Sequence, residues 1–578
     1  MKNFSETNKQ EGVLSFLIAF TLINTVSYIL LFTSLVFATG GGINWWQFPF
    51  SYALAIFVNY FAANFLAKER KRFYFLKSSM ISSVVIIVSI FIAVFFYDTS
   101  ADGPVYHQET VYQLSRGWNP FYTVLPDSVS QSIWVNHYPK GAEVPQAAIY
   151  NLLNRIETGK ATNILFLFAG FFICLTAFSK IGSFSYKKRI LLSSLLALNP
   201  ITINQLFTFY IDGQMASLLL CFIAICTLLY NGINKFYLFL LGSVILIIIN
   251  LKFTGIVFVA VFSIGFLILL LFNKKIQHFQ KVFLIIIISG IIGAVFVGYN
   301  PFVKNTIINN HPFYPLMGKS KIDIIKESYP IGFADKGRFE KFYISLFAHT
   351  DNEGSWVWEK RVPTLKIPFS FNKIDIENAR TEDTRVAGFG PFFSGILLVS
   401  MLLFIVSILL ETNRFLVRKI VYSSAVILIS VFMIPEAWWA RYVPQFWFIP
   451  LFFLIAIEFN QRRWLKISRK ILYLLLAGNI CFALFSVPYR VLMTMQLEYQ
   501  LSQLKASRQT IKVNWGNARA NRIRFNERQI PYEEHEGVGT TAVEIIGSDS
   551  KFELPGTIPD VPMPFLLKWW RGIKPLDK

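Results

Sequence analysis

The sequence predicts an all-α polytopic membrane protein with about thirteen transmembrane helices, within a range of roughly 11 to 14. Two large extracytoplasmic loops and a small C-terminal extracytoplasmic α/β appendage complete the predicted fold. Hydrophobic residues fill 54% of the 578 positions and charged residues only 15%, a composition too apolar for a soluble protein of this size. The apolar residues are gathered in runs of about 20, the length of a membrane-spanning helix. Basic residues concentrate in alternate loops between these runs.

The predicted spans follow from these apolar runs and are approximate at their ends. Several are short, so the region 190–272 leaves room for tilted or re-entrant pieces. The runs are 13–38, 47–67, 78–97, 161–179, 190–208, 212–230, 236–251, 253–272, 282–299, 389–410, 419–434, 442–458 and 470–490.

The loop charges predict the orientation, because Lys and Arg in short loops mark the cytoplasmic side. With a cytoplasmic N-terminus, the six loops near 68–72, 180–189, 231–235, 274–281, 414–419 and 462–470 all lie inside and all contain basic residues. The short loops on the other face contain only two basic residues, Lys252 and Arg441. These cytoplasmic loops also account for much of the net charge of +21, so we expect contact with anionic lipid and no nucleic-acid partner.

Three regions follow from this topology. Residues 1–77 form an N-terminal transmembrane pair, residues 78–490 form the transmembrane core with outer loops at 98–160 and 300–388, and residues 491–578 form the extracytoplasmic appendage. Within the appendage, 510–515 and 541–546 have the composition of β-strands. Polar chemistry is therefore expected on the outer face.

The first outer loop opens with an unusual group of titratable residues. Three acids and a histidine fall within residues 98–109, directly after an apolar run. A carboxylate here, Asp102 or Asp98, could serve as a general base for a hydroxyl group. A helix cap or a solvated acid is the alternative, and it suits Asp98 better, whereas both interpretations stay open for Asp102. Residues 105–117 read as a short amphipathic helix on the surface.

Two further features of this loop suggest a sugar-binding surface. Tyr106 and His107 lie one helical turn after Asp102, and the segment 134–143 mixes aromatic rings with hydrogen-bonding groups, among them His137. Aromatic faces stack on the apolar faces of pyranose rings, while polar groups bind the hydroxyls. An interfacial aromatic belt explains 134–143 equally simply and is the favoured interpretation from the residues alone.

Isolated charges beside apolar runs mark three more candidates. Asp212 lies in a turn between two such runs, and Lys252 interrupts the run from 236 to 272. Charges at membrane depth are costly and are usually paired or functional, so the two either pair with each other or Lys252 faces an anionic substrate. Arg441, flanked by aromatic residues, suits a phosphate because its planar guanidinium can bind two oxygens. The alternative is that Arg441 snorkels to the interface or pairs with Glu436.

No cofactor is predicted with certainty, and no residue is assigned to a metal, although a divalent ion stays open. His349, Asp351 and Glu353 could form a metal set, but their spacing is not diagnostic and a hydrogen-bonded loop is favoured. The sequence contains no Walker lysine loop, GxSxG, HExxH or Rossmann fingerprint, which leaves nothing to indicate ATP use or hydride transfer.

Taken together, these motifs resemble the GT-C class of integral-membrane glycosyltransferases. The resemblance covers about 78–460 and lies in an Asp-x-x-x-Tyr-His run, an Asn-Pro…Tyr-x-Asp-Gly turn, a His-Pro-Phe-Tyr-Pro-Leu segment and an Ala-Arg-Tyr turn, at positions 102–107, 199–213, 311–316 and 440–442. The chain departs from the class in having two spans before the one that leads into the first outer loop. The tail after 490 matches no module of the class.

The resemblance implies a sugar transfer from a polyprenyl-phosphate donor to an envelope glycopolymer acceptor, at the outer face of the cell membrane. Asp102, with Asp98 in reserve, would be the base, and Arg441 the cation beside the lipid phosphate. Asp212 and Lys252 would line the same cavity. A transporter or flippase for lipid-linked saccharides is the main alternative, and an inactive envelope scaffold is a third.

Overall fold

A computed structural model describes residues 2–181, 184–325, 328–352, 361–410, 414–460, 462–537, 539, 542–553 and 561–573. Helices dominate these residues, as predicted. Within them, eight helices are long and apolar enough to cross a membrane. Lipid offers no hydrogen-bonding partners, so an apolar run there satisfies its backbone groups internally by forming a helix. The eight are Gly12–Ala38, Gln47–Phe95, Ile156–Ile181, Asp212–Asn231, Thr254–Phe272, Ile276–Val297, Arg414–Phe432 and Arg463–Ser507, and shorter apolar helices occupy Lys235–Leu251, Phe393–Leu409 and Pro444–Ile457.

Three long helices begin the chain. They are α1 (Lys2–Ala38), α2 (Gln47–Ala67) and α3 (Lys71–Phe95), with a 3₁₀ turn at Lys68–Arg70 between the last two. Apolar side chains from the middle of α1 are buried together with side chains from much later helices in one hydrophobic core. The first predicted span is therefore part of the main bundle.

The segment after α3 forms short helices that pack on one another. A π-helical turn at Gly103–His107 leads into α4 (Gln108–Ser115), and α5 (Ser132–His137) and α6 (Glu143–Leu153) follow. The interpretation of 105–117 as a surface helix is wrong, because most of α4 is buried, including Glu109, Val111 and Leu114. A 3₁₀ turn at Ile156–Lys160 then enters the bundle.

The central bundle contains the helices α7 (Ala161–Ile181), α8 (Tyr186–Ala197), α9 (Pro200–Gln205), α10 (Asp212–Asn231), α11 (Lys235–Leu251), α12 (Thr254–Phe272) and α13 (Ile276–Ile291). The run predicted as one span at 190–208 is divided between α8 and α9. Proline fits the first position of a helix, where its missing N–H is not needed, and Pro200 occupies that position in α9. The Asn199 side chain caps α9 by accepting a hydrogen bond from the Ile201 amide at 3.0 Å.

The long segment at 300–388 is mostly irregular, with a π-helical turn at Ile292–Val297 before it and another at Tyr299–Lys304 where it begins. Its helices are α14 (Asn305–Asn309), α15 (Arg338–Phe347) and α16 (Lys373–Asn378). The last bundle helices are α17 (Phe393–Leu409), α18 (Arg414–Phe432), α19 (Phe448–Ile457), α20 (Arg463–Leu484) and α21 (Ser486–Ser507), with 3₁₀ turns at Ala440–Tyr442 and Pro444–Trp447 before α19.

A small α/β unit follows α21, as the strand-like segments predicted. It contains β1 (Ile511–Asn514), α22 (Asn521–Arg528), β2 (Tyr532–Glu534), β3 (Val543–Glu544) and β4 (Lys551–Glu553), with α23 (Phe565–Ile573) beyond it. The strand order is β2-β1-β4-β3, and β1 pairs with β2 in parallel. Its core includes Val513, Phe525 and Phe552 packed with Leu497 and Leu501 of α21. We call the described residues from 508 to 553 the C-terminal unit.

Candidate functional site

Arg441 lies at the centre of a group of carboxylates drawn from distant parts of the chain. One guanidinium nitrogen, Nη1, is 3.1 Å from Oδ2 of Asp212 and 3.4 Å from Oδ2 of Asp102. Its Nε lies 2.9 Å from Oδ1 of Asp383 in an ion pair. The Arg441 side chain is only 10% exposed, so these carboxylates provide the compensation that a buried cation needs.

Two further cations complete the group. The Lys252 ammonium is 2.7 Å from Oδ1 of Asp212, and the Arg385 guanidinium donates two hydrogen bonds to Oδ2 of Asp383, at 2.8 and 3.0 Å. We call Asp102, Asp212, Lys252, Asp383, Arg385 and Arg441 the charge cluster. Its three acids and three bases balance one another.

Aromatic rings surround the cations of the charge cluster. The Arg441 guanidinium lies 4.8 Å from the Tyr210 ring centre and 4.9 Å from that of Trp439. Lys252 lies 4.1 Å above the Tyr442 ring. Cations over aromatic faces at these distances are stabilised most where water is excluded. The rings therefore fix the positions of both cations.

The members of the cluster differ in their access to solvent. The side chains of Asp212 and Asp383 are 2% exposed, whereas those of Asp102 and Lys252 are 27% and 24% exposed. Burial alone would raise the pKa of Asp383, but the Arg385 and Arg441 guanidinium groups outweigh it and hold that pKa below its usual value. Asp102 and Lys252 are thus the most exposed side chains of the charge cluster, whereas those of Asp212 and Asp383 are buried.

Local backbone geometry brings these side chains together. Asp212 is the first residue of α10, where the positive end of the helix dipole favours a carboxylate. Lys252 is an extended residue between α11 and α12. Asp102 directly precedes the π-helical turn at Gly103–His107, and π-helical turns occur frequently at functional sites. These three charged residues thus lie at helix boundaries, from which Asp102 and Asp212 contact Arg441 and Lys252 contacts Asp212.

Of the other predicted site residues, Tyr106 lies beside the charge cluster and His107 lies against Tyr106. The pKa of Tyr106 is raised well above its usual value by burial and by the nearby Asp102 carboxylate. The His107 ring is tilted against the Tyr106 ring, with ring centres 4.1 Å apart, and its Nδ1 lies 2.6 Å from the Glu143 carboxylate. His137 instead pairs through Nδ1 with the Asn305 side chain at 2.7 Å. Both histidines are therefore held by side chains outside the charge cluster.

Asp98 belongs to a separate, fully buried network. Its carboxylate accepts hydrogen bonds from the amides of Ser100 and Phe209, both at 2.8 Å. Its own amide donates to Glu157, which also pairs with Lys160. Both carboxylate oxygens of Asp98 are thus engaged in holding backbone. Of the two acids predicted as a base, Asp102 is the one beside Arg441.

Asp383 and Arg385 were not predicted as site residues. They lie within the run Glu382-Asp383-Thr384-Arg385 of the long segment at 300–388. Alternating charges in a long polar segment usually indicate a solvated loop, so no local signal distinguishes these two. The Trp439 indole, which donates to Oδ1 of Asp383 at 2.9 Å, links the run to the Ala440–Tyr442 turn.

The described residues contain no group of three or more His, Cys, Asp or Glu side chains placed to hold a metal ion. Of the metal set considered from the sequence, Glu353 lies outside the described residues. His349 pairs with Asp375 at 2.6 Å, and the backbone of Asp351 pairs with that of Val386. The hydrogen-bonded loop favoured from the sequence agrees with these contacts.

Comparison with protein-family profiles and with curated proteins finds no match to this chain. The site is defined by its own chemistry: the buried guanidinium of Arg441, the partly exposed Lys252 ammonium and Asp102 carboxylate, and the aromatic rings around the two cations.

Proposed function

We propose that the protein is a membrane glycosyltransferase that moves a sugar from a polyprenyl-phosphate carrier to a hydroxyl of an envelope glycopolymer. The observation that carries the proposal is the position of Asp102, a partly exposed carboxylate 3.4 Å from Arg441. A base for the acceptor and a cation for the leaving phosphate are the two groups that this transfer requires. The resemblance to the GT-C class gives the same two residues the same roles.

Arg441 and Lys252 would bind the donor phosphate. A guanidinium can present two N–H donors to two phosphate oxygens, and an ammonium group acts as a point charge beside it. Tyr210, Trp439 and Tyr442 hold the two cations. Asp212 orients both cations, because one of its carboxylate oxygens contacts Lys252 and the other contacts Arg441.

In the transfer step, Asp102 removes the proton from the acceptor hydroxyl. The acceptor oxygen forms a bond to the anomeric carbon of the sugar, and the bond between that carbon and the phosphate oxygen breaks. The phosphate leaves with the electron pair, and Arg441 and Lys252 stabilise its negative charge. Attack opposite the leaving group inverts the configuration of the anomeric carbon.

The charge balance of the cluster supports an exchange of partners when the donor binds. Asp102 makes the longest of the three carboxylate contacts to Arg441 and is the most exposed of the three acids. An incoming phosphate would compete with it for Nη1 of Arg441. Displacement of Asp102 would free its carboxylate for the acceptor hydroxyl at the moment when the donor is in place.

The membrane arrangement belongs to the same proposal. The chain would cross the cell membrane about thirteen times, with a cytoplasmic N-terminus and with the site and the C-terminal unit on the outer face. This count takes each short apolar helix and each half of the bent pair α2–α3 as a separate span, and the pair α8–α9 as one. The basic loops of the opposite face support the orientation.

Transfer by the purified protein in detergent tests the proposal. With a polyprenyl-phosphate sugar and an envelope polysaccharide acceptor, we expect wild-type turnover and a loss of about 10²-fold or more for Asp102→Asn, the usual size of a general-base contribution. Asp127→Asn is the matched control, because Asp127 is an exposed acid of the same outer segment. A flippase would move the donor between leaflets without forming a glycosidic bond. Wild-type turnover by Asp102→Asn would remove Asp102 from the mechanism.

A further inference from the structure

The segment that carries Asp102 is bound by a part of the chain that follows every bundle helix. We call residues 98–109 the Asp102 loop. Nη2 of Arg524, in α22, donates to the backbone carbonyl of Asp98 at 2.5 Å. The same guanidinium binds Oε1 of Glu157 through Nε and Nη2, at 3.0 and 2.8 Å. The side chain of Arg524 is only 3% exposed, so the first residue of the loop is fixed within the protein interior.

Two more contacts from the C-terminal unit hold the middle and the end of the loop. The Ala520 amide donates to the carbonyl of Pro104 at 3.2 Å. Arg522 forms a bidentate pair with Glu109, through contacts of 2.6 and 2.8 Å. The Glu109 side chain is fully buried, and a bidentate pair fixes direction as well as distance.

Close packing adds a fourth point of attachment. Gly547 of the C-terminal unit lies against Thr99, and a Cβ atom at Gly547 would fall 2.5 Å from Cβ of Thr99. The backbone at Gly547 has a φ of +76°, which also favours glycine. The C-terminal unit therefore contacts the Asp102 loop on both sides of Asp102.

We infer that the C-terminal unit is a positioning element that holds the Asp102 carboxylate at Arg441, with Arg522 and Arg524 as its positioning residues. The catalytic part of this inference rests on the proposed function. Without these contacts the loop would keep its links to the bundle through Asp98 and His107 but lose the restraints at residues 104 and 109. A displacement of about 1 Å at a reacting group can cost about 10²-fold in rate.

The test compares Arg522→Gln and Glu109→Gln, which break the same pair from its two sides, in the full-length protein. Hydrogen–deuterium exchange of residues 98–109 should become about tenfold faster or more in each variant, and the double variant should add little, since the two residues act as a pair. Arg519→Gln is the control, because Arg519 is partly exposed and pairs with Glu534 and the Ser128 carbonyl.

Kinetics then distinguish positioning from general loss of structure. We expect kcat to fall by about 10²-fold while the donor KM stays within about twofold, because the cations that bind the phosphate are untouched. Unchanged exchange of the Asp102 loop in both variants would overturn the inference, whatever the activity. Faster exchange in a protein whose wild type transfers no sugar would leave the positioning role standing and remove the proposed function. Arg524→Lys, which keeps the charge, should recover part of the activity that Arg524→Met loses.

Discussion

The guanidinium of Arg441 lies 3.4 Å from the Asp102 carboxylate, although 339 positions separate the two residues in the chain. The contact joins the segment after α3 to the turn before α19. It is also the contact of the charge cluster that is most open to replacement, since Asp212 and Asp383 are buried. The donor phosphate is therefore expected to meet Arg441 at this point.

Replacement of Arg441 tests the balance of the charge cluster. Arg441→Gln removes the cation that Asp212 and Asp383 share, but Lys252 and Arg385 still pair with them. We therefore expect a loss of stability smaller than the roughly 3–5 kcal/mol that a buried carboxylate left without any partner costs. Arg441→Lys keeps the charge but cannot reach three carboxylates at once, so we expect a smaller loss of stability together with the loss of transfer. Unfolding in detergent and transfer rates measure the two effects.

The matched pair for this experiment is Arg338→Gln and Arg338→Lys. Arg338 is exposed and donates to the Phe432 carbonyl, so both changes should leave stability within about 0.5 kcal/mol. Equal stability of Arg441→Gln and the wild type would mean that the three carboxylates do not depend on this cation.

Replacement of Asp98 by Asn should destabilise the protein more than the same replacement of Asp102. The Asp98 carboxylate accepts hydrogen bonds from two backbone N–H groups. In Asp98→Asn the side-chain NH₂ group faces one of these donors and cannot accept its hydrogen bond. We therefore expect a loss of about 1–3 kcal/mol in the free energy of unfolding. Asp102→Asn removes one long contact of a partly exposed acid, so stability should change by less than about 1 kcal/mol. Parallel unfolding curves for the two variants measure the contrast. Equal losses for both would contradict the separation of the two acids.

Lys140 gives a pH-dependent stability that can be measured directly. Burial lowers the pKa of Lys140 to about 7, against the opposing Glu143 carboxylate. The unfolded chain therefore binds more protons than the folded one between pH 7 and the usual lysine pKa. Stability rises with pH across that window, and the penalty for the buried charge is fully present below pH 7. From pH 7 to pH 9 we expect a gain of about 2 kcal/mol in the wild type relative to Lys140→Met.

The control for Lys140 is Lys319→Met, at an exposed position of the long segment at 300–388. Its stability should follow that of the wild type at both pH values. A constant difference between the wild type and Lys140→Met would show that Lys140 stays charged throughout the range, held by the carbonyl of Tyr138 and the side chain of Asn300.

Glu527 should have the opposite pH dependence. Burial raises its pKa to about 7, although the Ile156 amide and Arg155 favour the charged form. The folded protein binds more protons than the unfolded chain between the usual glutamate pKa and pH 7, so stability falls as pH rises through that range. Between pH 5 and pH 8 the wild type should lose about 2–3 kcal/mol relative to Glu527→Gln. Exchange protection of α22 at both pH values provides the measurement, with the exposed Glu534→Gln as control.

The sequence identified the charges that lie beside apolar runs. Asp212, Lys252 and Arg441 stand out because an isolated charge next to a membrane span is costly, and that cost can be read in one dimension. Asp383 and Arg385 lie among many other charges, and only the folded chain separates them from a solvated loop. Glu109 could not be assigned a role either, because its partner Arg522 lies 413 positions away.

The fold, like the candidate site, was predicted in part from the sequence. The apolar composition predicted helices correctly, and the strand-like segments predicted the C-terminal sheet. The division of 190–208 into α8 and α9 was missed, although Asn199-Pro200 is a recognisable start of a helix. Hydrophobicity alone outweighed that local signal. The burial of α4 could not be predicted, because its partners in α6 and α22 come later in the chain.

The contact between Arg524 and the carbonyl of Asp98 also bears on how the protein is made. The two residues are 426 positions apart. The ribosome must therefore synthesise all of the bundle helices before Arg524 can bind the carbonyl of Asp98. Until then the Asp102 loop of a nascent chain at the translocon lacks the contacts from the C-terminal unit and relies on bundle contacts such as those of Asp98 and His107. The restraints on the Asp102 loop would thus be complete only after α22 has folded, and a prematurely terminated chain would reach the membrane without them.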